Sequence, residues 1–378
     1  MKRLSARLVV VLLAATVGAA VGALTATREE LVATAAARLR ADASAGQAQA
    51  RAALPIPALH HAGLNVVDPA RSQQFYKTIW PQGEVTTFAG LPAYKSNMYL
   101  LFTKVNQPAG GTWDPKEHRS IPQSVFWHIG FETQTPTATI KERLKAANAT
   151  LVPLFTSDRD SGSIWRAGEM GYGRNPIVTA KMMAERPAGQ PQEGGYAYFL
   201  GPDQELIEAG GGPGEEDIFN HVHFVHEQPW CAAQWYVEHL GFKPQQIRNP
   251  ATKELIEAPI PQPCQGPIGP PSWPSLQQQG TLRDPRVTVT LTGTNFSWYV
   301  RPCQAGRCRE GDVRLVPSRG QVLDHIGLTY PDLDTHVPRL RREGVKILEE
   351  VHKWGDTRAA MIEDLDGLAI MLIERKEP

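Results

Sequence analysis

Phe126-Trp127-His128-Ile129-Gly130-Phe131 is a short apolar run with a histidine inside it, and the chain contains three more runs of the same kind. They are Leu59-His60-His61-Ala62-Gly63-Leu64, Phe219-Asn220-His221-Val222-His223-Phe224 and Leu323-Asp324-His325-Ile326-Gly327-Leu328. Each run gives way within a few residues to a proline, as Asp68-Pro69, Thr135-Pro136, Gln228-Pro229 and Pro331-Asp332. Proline is pre-organised for the first helical position, so each run predicts a strand followed by a helix. Histidine brings two polar ring nitrogens into a strand that is otherwise apolar, and each needs a partner. Four copies at equivalent places point to a repeat whose strand histidines face a shared site, and metal ligation is the simplest shared purpose.

Working outward, the predicted helices cover residues 71–80, 137–147, 230–240 and 334–343. Module one runs from about Ala58 to Lys104, module two from Val125 to Ala209, module three from Ile218, and module four from Val322 to Arg375. Insertions rich in Gly, Pro and charge interrupt modules two and three at residues 156–195 and 249–285. The run Gly210-Gly211-Gly212-Pro213-Gly214 reads as a hinge between two halves.

The chain has 378 residues, room for two domains. Its 39 basic and 39 acidic residues cancel, which argues against a nucleic-acid surface and for a small-molecule partner. Lys2, Arg3 and Arg7 precede an uncharged run from Leu8 to Thr27. This pattern predicts a signal peptide or an uncleaved membrane anchor over residues 1–26, then a helical spacer over 27–56. An exported, periplasmic or extracellular body is expected. The even cysteine count fits that compartment, with Cys303 and Cys308 expected as one disulfide and Cys231 with Cys264 as the other.

The repeats resemble the vicinal oxygen chelate superfamily, which contains glyoxalase I, bleomycin-resistance proteins and extradiol dioxygenases. The segments Gly201-Pro202-Asp203-Gln204-Glu205-Leu206-Ile207-Glu208 and Asp364-Leu365-Asp366-Gly367-Leu368-Ala369-Ile370-Met371 are similar to the family's turn before a ligand-bearing strand. The resemblance implies an α+β fold of four βαβββ modules paired into two domains, at residues 57–212 and 217–376. It implies a metal held in the first domain by His61, His128 and Glu208, with Fe(II) or Mn(II) favoured over Zn(II). In the second half Met371 takes the place of Glu208, and Glu374 would point to the opposite face, so that domain is expected to be metal-free.

The last strand of module one, Met98 to Thr103, lacks the further carboxylate of glyoxalase-type isomerases. Tyr198 matches the tyrosine with which extradiol dioxygenases bond their substrate, and His118 is the candidate acid/base histidine. Trp127 and Trp165 could wall the site, and Arg166 and Arg174 could meet an anionic substrate. The expected activity is therefore an extradiol-type dioxygenase acting on vicinal oxygens. A glyoxalase-like lyase or isomerase and a non-catalytic, bleomycin-resistance-type binding protein are the alternatives.

Overall fold

A computed structural model describes residues 54–114, 119–133, 135, 137–152, 155–157, 164–166, 196–211, 217–249, 251–260, 264, 286–300 and 315–375. Module one consists of β1 (Ala58–Val66), α1 (Pro69–Ile79), β2 (Glu84–Phe88), β3 (Leu91–Lys95) and β4 (Tyr99–Lys104). A small hairpin, β5 (Thr112–Asp114) and β6 (Arg119–Ile121), leads to module two: β7 (Phe126–Thr133), α2 (Thr137–Ala146) and β8 (Thr150–Leu151). After a second hairpin, β9 (Phe155–Ser157) and β10 (Ile164–Arg166), the module closes with β11 (Tyr196–Leu200) and β12 (Leu206–Gly211).

Module three is β13 (Ile218–His226), α3 (Pro229–Leu240), β14 (Lys243–Pro244), an excursion β15 (Gln246–Arg248) and β16 (Leu255–Glu257), then β17 (Arg286–Leu291) and β18 (Thr294–Val300). Module four is β19 (Leu323–Tyr330), α4 (Leu333–Arg342), β20 (Lys346–Trp354), β21 (Thr357–Glu363) and β22 (Ala369–Glu374).

The helix starts follow the predicted signals. Asp68 caps α1 by accepting from the backbone of Ala70 and Arg71, with Pro69 behind it, and Asp332 caps α4 through Thr335. Such caps contribute about 1 kcal/mol each by satisfying otherwise orphaned N–H groups. In α3 Pro229 stands at the start without a side-chain cap from Gln228, and Gly241 ends the helix in the left-handed conformation that glycine adopts freely.

The sheet partners differ from the expected pairing of neighbouring modules. One eight-stranded sheet runs β2-β3-β4-β1-β19-β22-β21-β20, joining module one to module four. The other runs β14-β17-β18-β13-β7-β12-β11-β8, joining module three to module two. The residue blocks 57–212 and 217–376 are therefore not two separate sheets, and residues 55–378 form one compact unit. Neighbouring modules are tied differently, through helices and turns. The Tyr76 hydroxyl of α1 donates to Glu205 at 3.0 Å and Asp203 accepts from the Val67 backbone at 2.9 Å, linking module one to two. Tyr236 of α3 donates to Asp364 at 3.0 Å, and Asp366 accepts from the Glu227 backbone at 2.6 Å, repeating that link between modules three and four.

Strand alternation divides the side chains. Ala360, Ile362, Ile370 and Leu372 join the main core, while Ala359, Met361, Ala369, Met371 and Ile373 form a separate apolar cluster on the other face.

Cys231 and Cys264 are disulfide-bonded, as expected, whereas Cys303 and Cys308 lie outside the described residues. So do the N-terminal segment, His118 and Arg174, and the side chains of Trp165 and Arg166. Among the described residues no helix is long and apolar enough to cross a membrane.

Candidate metal centre

At the middle of each sheet the first strands of two modules run antiparallel. Ile129 faces Val222 at the centre of the β7–β13 pair, so a local twofold relates His128 to His221 and Gly130 to His223. In β1–β19 Ala62 faces Ile326, relating His61 to His325 and Gly63 to Gly327. Residues two apart on a strand share a face. The glycines make room for the opposing imidazole: a Cβ on Gly130 would lie 1.9 Å from His221 Nε2, and one on Gly327 would lie 2.2 Å from His61 Cε1.

The β7–β13 cup gathers His128, Glu208, His221 and His223, with one donor atom from each lying within 4.8 Å of the others. His128 Nε2 is 3.1 Å and His221 Nε2 is 3.7 Å from Glu208 Oε2. The Tyr198 hydroxyl donates to the same carboxylate oxygen at 2.5 Å, because Tyr198 and Glu208 are register partners on β11 and β12. Trp127 packs edge-on against His128 with centroids 4.3 Å apart, and Tyr299 lies against His223.

Burial alone would raise the Glu208 pKa. The neighbouring His221, together with the hydrogen bond between His128 and Glu208, outweighs it and holds the carboxyl well below its usual range. Burial lowers the His128 pKa despite the hydrogen bond with Glu208, so the imidazole stays neutral. Imidazoles converging on an anionic carboxylate are the donor set that a divalent cation needs, and these residues fit one.

The expected set is thus split. His128, Glu208 and Tyr198 come together, whereas His61 is in the other sheet, because β1 pairs with β19 and not with β7. His221, expected to lie in a metal-free half, takes the place expected for His61. His223 is absent from the expected set. Its signal lies in the sequence: in the other three runs a glycine follows two residues after the strand histidine, and only module three reads His221-Val222-His223.

The twofold equivalent of Glu208 is Ser297, opposite His223 on β18, and Ser297 is bonded to Thr288 at 2.7 Å. Among the described residues this corner of the cup holds no second carboxylate.

In the β1–β19 cup His61 Nε2 and His325 Nε2 are 3.0 Å apart. His61 Nδ1 is 2.9 Å from His60 Nδ1, and His325 Nδ1 is 2.7 Å from Asp324 Oδ2. The positions equivalent to Glu208 hold Leu101, opposite Gly63, and Met371, opposite Gly327. Burial, reinforced by the neighbouring His325 and His60, lowers the His61 pKa well below its ordinary value.

No protein-family model matches the sequence, and no curated protein matches it. Solved structures do. Glyoxalase I from Zea mays is 12% identical over 84% of this chain and 92% of that one, with a TM-score of 0.50. The fosfomycin resistance protein FosX from Mesorhizobium loti is 14% identical over 40% of this chain and 89% of its own, with a TM-score of 0.24. A glyoxalase/bleomycin resistance protein/dioxygenase superfamily member from Sphaerobacter thermophilus is 18% identical over 41% and 95%, with a TM-score of 0.25. The maize structure spans nearly the whole folded body, and with it the chain has the fold of the vicinal oxygen chelate superfamily.

Proposed function

We propose that the chain is a metal-dependent enzyme that chelates two vicinal oxygens of a small substrate and opens it with dioxygen, in the manner of extradiol dioxygenases. The observation that carries this reading is the convergence of His128, His221 and Glu208 in one cup. Two histidines and a carboxylate on one side of an ion are the ligand set of non-haem Fe(II) oxygenases. A bound Fe(II) or Mn(II) ion would supply Lewis acidity and open positions for both substrate oxygens and dioxygen.

The remaining work falls to residues of the chain. Tyr198 fixes one oxygen of Glu208 and so orients the carboxylate. His223, on the same face as His221, is available to take the proton of a substrate hydroxyl and return it later. Trp127 and Tyr299 form walls that keep water from the cup. The Ser297 corner, where an isomerase would place its proton-moving acid, favours ring opening over isomerisation.

Residues 1–26 and the Cys231–Cys264 disulfide support an exported protein. The test is oxygen uptake by the anaerobically Fe(II)-loaded chain on mixing with a panel of catechols. Uptake with a ring-opened product is expected. If no catechol binds or consumes oxygen, while a dicarbonyl compound is isomerised, the reading fails.

His223 makes a second check. As an acid/base group it can be removed with the metal retained. If His223→Ala loses metal as fully as His221→Ala, four protein ligands leave too few positions for substrate and dioxygen together, and Lewis-acid isomerisation replaces ring opening.

A further inference from the structure

The β1–β19 cup keeps the scaffold of the metal centre but changes its chemistry. Met371 lies opposite Gly327 in the β22–β19 register, as Glu208 lies opposite Gly130 in β12–β7. The space that Gly327 leaves is filled by the His61 imidazole, as that beside Gly130 is filled by His221. By this register Met371 stands beside His61 on the cup face. Met361, its partner on β21, shares that face in the apolar cluster with Ala359, Ala369 and Ile373.

Both imidazoles are oriented from behind. Asp324 accepts from His325 Nδ1 and is itself anchored by the Gly320 backbone at 2.6 Å and Asn65 at 2.8 Å. Donation through Nδ1 leaves the His325 Nε2 lone pair facing the cup, the arrangement by which a carboxylate prepares a histidine to bind metal. On the other side His60 Nδ1 lies 2.9 Å from His61 Nδ1 and holds that ring in place. Two Nε2 atoms therefore meet at 3.0 Å, on the face that the register gives to Met371, and the Trp354 ring is 5.6 Å from that of His61.

Among the described residues the two corners of this cup hold Leu101 and Met371 and no carboxylate, and Asp324 stands behind His325. A hard divalent ion would find a thioether and an alkyl group at the corners where the other cup offers a carboxylate oxygen. A soft monovalent ion is suited to thioether and imidazole.

We propose that the β1–β19 cup binds one Cu(I) ion through His61 Nε2, His325 Nε2 and the Met371 thioether. The full chain, first loaded with one equivalent of Zn(II) to occupy the β7–β13 cup, is titrated anaerobically into the Cu(I)–bicinchoninate complex. Withdrawal of one equivalent of Cu(I) is expected, with a sulfur neighbour in its X-ray absorption spectrum. Met371→Leu, a volume-conserving change that the fold should tolerate, should lose the sulfur signal and bind at least about tenfold more weakly. Asp324→Asn should weaken binding by about 10–100-fold, the usual effect of removing the partner of a metal-bound histidine. Met371→Glu should take up a second divalent ion in place of Cu(I). No Cu(I) uptake, uptake without sulfur, equal uptake by Met371→Leu, or no second divalent ion in Met371→Glu would each overturn the assignment.

Discussion

His221 occupies the space that Gly130 leaves vacant on the opposing strand: a Cβ there would approach its Nε2 to 1.9 Å. Gly130→Ala should therefore push His221 out of the cup and release the divalent metal while the sheet stays paired. Gly63→Ala should displace His325 instead and leave that metal bound. Elemental analysis beside circular dichroism checks the pair, and equal metal loss in both would mean that neither glycine serves one cup in particular.

Much of this was legible in the sequence. The four strand histidines, the proline-led helices and the turns before Glu208 and Met371 follow from local chemistry, because periodicity, caps and turns act over a few residues. The proximity of His128, Glu208 and Tyr198 was legible for the same reason, since all three belong to one module. The choice of sheet partner was not. His61, His128, His221 and His325 come from strands so alike that several pairings would satisfy them. What separates the pairings is long-range, in bonds such as Tyr76 to Glu205 and Tyr236 to Asp364, which hold neighbouring modules side by side without merging their sheets.

Tyr198→Phe removes the hydroxyl that holds Glu208 Oε2 but none of the three proposed metal donors, His128, His221 and Glu208. Metal content and melting temperature should change little. Turnover should fall by about 10²–10⁴-fold, the scale for losing a proton-handling or charge-stabilising group. Steady-state oxygen uptake reads this directly, and an unchanged rate would remove Tyr198 from the mechanism.

Stability should fall with acid in a defined window. Burial lowers the His226 pKa to about 4 and that of His336 to about 3. Below pH 6.5 the unfolded chain takes up protons at these histidines that the folded chain refuses, so their contribution is full above that pH and declines toward pH 4 for His226 and pH 3 for His336. At about 1.36 kcal/mol per pH unit, His226 accounts for about 3 kcal/mol and His336 for about 5 kcal/mol over their windows. Burial raises Glu205 to about 7, with the opposite sign: its contribution is lost as pH climbs from 4.5 to 7. The Gln228 backbone donates to His226 Nδ1 at 2.9 Å, and His226→Asn retains an acceptor there without the titration. Melting curves between pH 4 and 7 should be flatter for the variant, and identical slopes would contradict the assignment.

The Cys231–Cys264 bond closes a loop with a sequence separation of 33. Replacing both cysteines with serine should cost about 3–4 kcal/mol by the loop-entropy relation. Urea unfolding of the variant against the oxidised wild type measures it, and an unchanged midpoint would show that the bond does not stabilise the fold.

The proposed divalent-metal centre draws its ligands from both halves of the chain, from β7 and β12 of module two and β13 of module three. Its direct test is the divalent-metal content of His61→Ala and His221→Ala, purified side by side and loaded with one equivalent of Fe(II), Mn(II) or Zn(II). His221→Ala should lose most of its metal and His61→Ala should keep it. Retention in His221→Ala with loss in His61→Ala would contradict a centre in the β7–β13 cup.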